Sequence, residues 1–315
     1  MPQKAYPFFA ATIVAVIFGF SFLFTKGALN YLEPFQLLGV RFALAALFMS
    51  FLAAGRLVTL RIQPRDLPEL LGIALWQPVL YFVFETYGVK FTSASESGIV
   101  IAMVPVAVAV LSKFFLHEKI SFGQAAWICL AVAGVALMTL GKPAVSRPES
   151  QTHLTGIGLL FGAVLAAGFY NVLSRRAAAR HAPLDITFVM MWVGAVVFNA
   201  AGLLQSQPSG FPGNYAALRN LPVATGVLYL GLASSVLAFF LLNYALSRLP
   251  ASRAAVFLNL TPVVSVLAGA IFFQERLSIP QMAGGFLILA GVFGTNHFAG
   301  RSGKAGEIRK EALEG

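Results

Sequence analysis

The chain has 315 residues, 58% of them hydrophobic and only 11% charged, and its mean hydropathy is +0.80. Soluble domains carry roughly a quarter of their residues charged, so this composition excludes an ordinary soluble globular protein and points to the lipid bilayer. The net charge of +10 does not argue for nucleic acid, because basic residues of multi-pass proteins collect in cytoplasmic loops; the single cysteine, Cys129, excludes an intramolecular disulfide, and the scattered His117, His153, His181 and His297 predict neither metal nor cofactor.

In chain order, ten runs have the length and apolarity of spanning helices: 7–25, 34–54, 68–89, 94–116, 121–141, 154–174, 184–205, 222–246, 251–273 and 278–298. The first lacks the small-residue cleavage pattern of a signal peptide and is retained as a helix. Two connections are long: 142–153, rich in Pro, Ser and charge, and 206–221, with Pro208, Gly210, Pro212 and Gly213. The chain thus divides into a half over 1–141, a linker over 142–153, a half over 154–298, and a solvated tail over 299–315.

The halves repeat. At an offset of 157 residues, Ala94 falls on Ala251, Pro105 on Pro262, Glu118 on Glu275, Ser121 on Ser278, Gln124 on Gln281 and Gly134 on Gly291. At 149, Gly19 falls on Gly168, Lys26 on Arg175 and Pro34 on Pro183; Leu67-Pro68 matches Leu221-Pro222 and Tyr87 matches Tyr244 more weakly. Thirteen helical residues, about 20 Å, separate each proline from its glutamate, which sets Pro105 and Pro262 deep in the bilayer as helix breaks if the glutamates mark its surface. An odd number of helices per half makes the second half enter from the opposite side, so the predicted fold class is an all-α integral membrane protein of ten transmembrane helices in two inverted five-helix repeats. With both termini in the cytoplasm, that side collects 15 Lys and Arg residues against 6 on the other.

The chain resembles the EamA branch of the drug/metabolite transporter superfamily. The resemblance rests on Gly19-Phe20-Ser21-Phe22 followed by Lys26, on Arg41-Phe42, on Thr92-Ser93-Ala94-Ser95, and on the Pro-then-Glu spacing before Lys119-Ile120-Ser121 and Arg276-Leu277-Ser278. It implies a central cavity lined by helices one, three, four, six, eight and nine, with five and ten to the side.

Candidate solute-binding residues are Trp76, Gln77, Tyr81, Glu85, Tyr170, Asn171 and Asn259. Gln77, Tyr81 and Glu85 recur every four residues, so a regular helix puts them on one face, and a stripe ending in a carboxylate is costly against lipid. Glu85 reads either as a counter-ion or proton-coupling group, or as a structural partner of nearby Lys90. Trp76, Tyr81 and Tyr170 offer aromatic walls for an apolar or aromatic amino acid. Asn259 precedes Pro262 by three residues, where a proline frees a carbonyl. Arg41 reads as structural or substrate-contacting, and Lys26 and Arg175 as snorkelling or gating. Tyr229, Ser234, Ser235 and Asn243 read as bonds between helices, and Gly158 with Gly162 as a close-packing step. The unmatched pairs Glu96/Arg253 and Ala102/Asn259 are where the two repeats differ and where substrate choice is expected.

These residues describe a secondary transporter of a small organic solute, an amino acid, metabolite or drug, working outward by alternating access in a bacterial inner membrane, with protons as candidate coupling ions and a monomer or homodimer as the assembly. An intramembrane lipid-handling enzyme and a non-transporting scaffold are the alternatives; the former wants paired acids or a metal cluster that the dispersed histidines do not supply. From the charge bias, a C-terminal green fluorescent protein fusion is expected to fluoresce and a C-terminal alkaline phosphatase fusion to be inactive; the reverse pattern would invert the topology.

Overall fold

Inside hydrocarbon a spanning segment must satisfy its own backbone, and a helix does so locally. The computed structural model describes residues 6–115, 121–140, 147–205, 213–249, 260–275 and 277–314, and all regular structure among them is helical. Seven stretches there are long and apolar enough to cross a membrane, and three shorter apolar helices cover Phe122–Leu137, Leu260–Phe272 and Ile279–Thr295. Large apolar side chains such as Leu47, Phe51, Leu204, Phe286 and Phe293 are exposed on the outside of the bundle, a surface suited to lipid.

The first helix, α1 (Tyr6–Ala28), leads by a short turn into α2 (Pro34–Ala54). That start is set locally: Pro34 opens the helix, and Gln36 Oε1 accepts the Glu33 N–H at 3.1 Å. The third stretch is not one helix. It runs as α3 (Leu67–Ala74), a wide-turned segment Leu75–Leu80, and α4 (Tyr81–Phe91). The fourth is likewise divided, into α5 (Ala94–Ile101) and α6 (Val104–Phe115), with Pro105 in the first turn of α6. Next come α7 (Phe122–Leu140), α8 (Arg147–Ala177) and α9 (Pro183–Gln205). The eighth stretch repeats the pattern of the third, as α10 (Leu221–Leu228), a wide-turned segment Tyr229–Leu237, and α11 (Ala238–Arg248). The described chain ends with α12 (Leu260–Phe272) and α13 (Ile279–Glu314).

Three boundaries differ from the sequence reading. Residues 147–153 of the predicted linker already belong to α8, consistent with Pro148 and Glu149, which suit a first helical turn. Within the predicted loop 206–221, Gly213–Arg219 forms a 3₁₀ turn. The helix holding the last apolar run continues through the tail to Glu314. Of the proposed Gly158–Gly162 step, Gly162 packs closely on Phe84, but a side chain at Gly158 would meet open space, and it is Gly156, two residues earlier, that lies against Phe91 and Thr92.

Packing pairs helices across the two halves. The α2 helix lies on α9, α1 on α11 and α12, α8 on α4 and α6, α5 on α12, and α7 on α13. Between α2, α4, α9 and α11, a buried aromatic cluster sets Phe42 edge-on to Phe82 at 5.0 Å and tilted on Phe198 at 5.3 Å, with Phe239 edge-on to Phe82 at 6.0 Å. The α7–α13 contact depends on glycine: a Cβ at Gly134 would sit 2.7 Å from the Gly284 carbonyl, and one at Gly291 would sit 2.6 Å from the Ala131 backbone nitrogen. Backbone atoms cannot rotate away. Gly134→Val and Gly291→Val are therefore each expected to cost about 1–3 kcal/mol by overpacking, visible as a lower melting temperature in detergent; Gly158→Val should have no such effect.

Candidate functional site

Two irregular helices organise the interior, one broken and one widened. In the third stretch, Pro78 lacks an N–H and forces the preceding residue out of the helical region, and Gln77 accordingly has φ −148° and ψ 115°. The regular face predicted through Gln77, Tyr81 and Glu85 is thus broken at its first member. Tyr81 and Glu85 share a face of α4, while Gln77 is buried in the irregular turn. Pro78 was the visible signal for this break. The widened segment, Tyr229–Leu237, contains no proline. It carries the buried pair Ser234 and Ser235.

Arg41 reaches from α2 to that pair. Its Nε donates to Ser235 Oγ at 2.8 Å and its Nη2 to Ser234 Oγ at 2.9 Å, while the residue is only 2% exposed. Ser21 on α1 donates to Ser234 at 2.9 Å, and Tyr229 donates to the Ile17 carbonyl at 2.9 Å, so α1, α2 and the irregular segment are tied together. The guanidinium carbon lies 4.4 Å from the Phe82 ring centroid, a cation–π contact within the aromatic cluster. Glu85, one turn beyond Phe82 on α4, is 3% exposed and accepts a 3.1 Å bond from Thr86 Oγ1. Arg41 and Glu85 attract each other electrostatically, yet among the described residues no ion pair within 4.0 Å joins them.

The aromatic candidates separate. Trp76 stacks on Phe169 at 4.1 Å, and Phe115 meets Phe169 edge-on at 5.5 Å. Tyr170 is fully buried and donates to Asn243 Oδ1 at 2.7 Å; Ser174 donates to the same oxygen, and Asn243 donates to Thr187 at 3.0 Å. This network binds α8, α9 and α11. Asn171 donates to the Ala167 carbonyl one turn back. Pro262 lies in the first turn of α12, and Asn259 and Arg253 lie outside the described residues.

The helix-end cations have defined partners. Lys26 donates to the carbonyls of Val89 and Lys90 at 3.0 and 3.1 Å and to that of Thr92, closing the C-terminus of α4. Arg175 donates to the Leu249 carbonyl at 3.1 Å, just past α11. Lys90 pairs with Glu33 at 2.7 Å.

At the Lys26 end, α5 is held by the second half. Glu275 accepts the N–H groups of Ala94 and Ser95 at 3.0 and 3.1 Å, and also the Ser95 hydroxyl. Ser265 donates to the Ala94 carbonyl at 2.8 Å. Glu96 forms a capping box with Ser93, and its Oε1 also meets His153 at 3.1 Å and Gln281 at 2.7 Å. The Ser93-x-x-Glu96 spacing before an apolar run was the sequence sign of that box; its contacts to His153 and Gln281, far apart in the chain, had none.

Comparison with known proteins adds the following. Residues 6–140 and 154–297 match the EamA-like transporter family. An uncharacterized transporter of Bacillus subtilis, YcxC, is 32% identical over 295 residues, covering 93% of this chain and 94% of the relative. A probable amino-acid metabolite efflux pump of Salmonella typhimurium is 25% identical, covering 90% and 93%, and a probable terminal-alkyne amino-acid exporter of Streptantibioticus cattleyicolor is 27% identical, covering 76% and 77%. A solved crystal structure superposes with a TM-score of 0.65 over 95% of this chain and 98% of that one at 20% identity, a likeness of fold. Removing the serine pair that holds Arg41 leaves buried donors unpaired, so the Ser234→Ala/Ser235→Ala double variant is expected to lose about 1–3 kcal/mol in thermal unfolding, and more than Ser50→Ala at the bundle surface.

Proposed function

Because the chain belongs to the EamA-like transporter family, whose members are transporters rather than enzymes, we propose that it exports a small organic solute, an amino acid or amino-acid metabolite, by alternating access. The observation that carries this reading is the pair of oppositely charged side chains, Arg41 and Glu85, buried beside the matched irregular segments of the third and eighth stretches. Irregular backbone at membrane depth is tolerated where it is buried or lines a cavity, and ionisable groups there mark substrate or ion paths. A passive scaffold has no use for either. Efflux as the direction follows the names of the two amino-acid relatives.

The architecture proposed is ten spans, seven long and three short, in two inverted repeats in a bacterial inner membrane with both termini in the cytoplasm. Three features support the repeat. Helix pairings exchange into one another when the halves are swapped: α1 on α11 corresponds to α8 on α4, and α1 on α12 to α8 on α6. The equivalent cations Lys26 and Arg175 each bond a carbonyl at the end of the third helix of a half, Thr92 and Leu249. Finally, α3 and α10 are both 8 residues and α4 and α11 both 11, while the irregular segments between them are 6 and 9. That three-residue difference accounts for the shift between the Leu67/Leu221 and Tyr87/Tyr244 matches.

In this reading the Lys26 end faces outward and is the closed gate. Glu275, Ser265, Gln281 and His153 of the second repeat all bond the start of α5 in the first, and these contacts part when the halves rock. Glu85 is the group through which protons couple to transport. Trp76 and Tyr81 form the apolar wall, Gln77 and Asn171 its polar edge, and Tyr170 holds the wall in position; Asn259 is assigned to the same cavity from its place before Pro262. Two measurements test this. Purified protein in liposomes should give counterflow with amino acids or their metabolites, and silence across a broad panel would overturn transport. Ser95 is buried at this end, so in a Ser95→Cys/Cys129→Ala variant a membrane-impermeant maleimide should label position 95 faster during counterflow than at rest, whereas no labelling during counterflow would show that this end need not open.

A further inference from the structure

We infer that Arg41 is the receptor for the carboxylate of a zwitterionic solute whose ammonium group is taken by Glu85, so that the protein selects amino-acid head groups over simple amines. This rests on the transporter reading and deepens it. Arg41 has five donors in a planar fork, and the serine pair engages only its Nε and Nη2. Nη1 makes no hydrogen bond among the described residues. The same is true of Glu85 Oε1, since Thr86 binds the other oxygen. Neither is among the fully buried side-chain atoms without a partner among the described residues, which are Thr25 Oγ1 and Ser278 Oγ, so each keeps a little accessible surface for one further bond while its residue is 2% or 3% exposed.

The partners of Arg41 are neutral. Two serine hydroxyls and the face of Phe82 orient the guanidinium without cancelling its charge. Glu85 is near enough to be felt but not to form a contact pair. A structural ion pair buried at this depth would repay its desolvation only in direct, well-aligned contact. Opposite charges held apart, each with a free hydrogen-bonding atom, instead match a ligand carrying both charges. The fork of an arginine suits a carboxylate better than a lysine does.

The test is counterflow in liposomes with each standard L-amino acid, using the fastest as the labelled probe. Its decarboxylated amine and its deaminated acid serve as competitors. In the unaltered protein, the amino acid should compete better than either analogue by about thirtyfold or more, the scale expected for losing one partner of a buried charge pair. Arg41→Gln should erase the advantage over the amine while keeping that over the acid, and Glu85→Gln should do the opposite. Should Arg41→Gln not fold, the same order of ligands must appear in the thermal stabilisation of the unaltered protein, and Arg41→Lys should retain part of the preference. Equal competition by amine and amino acid overturns the inference and leaves transport standing, as does counterflow of other metabolites without any amino acid. Absence of counterflow for every solute overturns both.

Discussion

In a membrane, a backbone carbonyl or amide that loses its helical partner cannot turn to water, and the interior of this protein is arranged around one helix broken at Gln77 and another that widens without breaking over Tyr229–Leu237. The segments Leu75–Leu80 and Tyr229–Leu237 stand at matching positions of two long apolar stretches. Wide or broken turns of this kind recur at functional sites because they present backbone and side chains that a regular helix would hide. Here the second segment offers Ser234 and Ser235 to Arg41, and the first redirects Gln77 just before the helix that bears Tyr81 and Glu85.

The charges follow from that arrangement. A guanidinium in the bundle interior is made tolerable by hydroxyls that take part of its donor fork and an aromatic face beneath it, and Arg41 has both, through Nε, Nη2 and the Phe82 ring. Around it the aromatic cluster of Phe42, Phe82, Phe198 and Phe239 fixes the separation of α2, α4, α9 and α11, and with it the separation of Arg41 from Glu85. The remaining polar groups at the ends of the helices serve to close the structure. Lys26 and Arg175 bind carbonyls that helix ends leave open, and Glu275 accepts the buried amides that the start of α5 leaves without a helical partner. At this end, bonds of this last kind join the two halves through polar side chains, while elsewhere the halves share one apolar core.

Membrane class and the positions of the long apolar stretches were legible because twenty consecutive apolar residues have few other uses. Lys26 and Arg175 stand at identical spacing from a following proline, and each bonds carbonyls at a helix end. The break at Gln77 was signalled by Pro78 but masked by the attractive four-residue spacing of Gln77, Tyr81 and Glu85, which holds only while the helix is regular. The wide turn at Tyr229–Leu237 had no residue to mark it, since no proline lies there. Nor could Ser234 and Ser235 be singled out as the holders of Arg41, because serines in apolar helices are common and their partner stands 193 and 194 residues away.

Composition and periodicity alone thus determined that the chain lives in a bilayer, that it is helical, and that its halves echo each other, since each of these follows from local chemistry repeated along the chain. Only the tertiary structure decided that Arg41 and Glu85 stand apart rather than paired, that Glu275 caps a helix of the other half, and that the third and eighth stretches share an irregular core. Those outcomes depend on the depth and rotation at which distant helices meet, and nothing within one helix encodes its neighbour's angle.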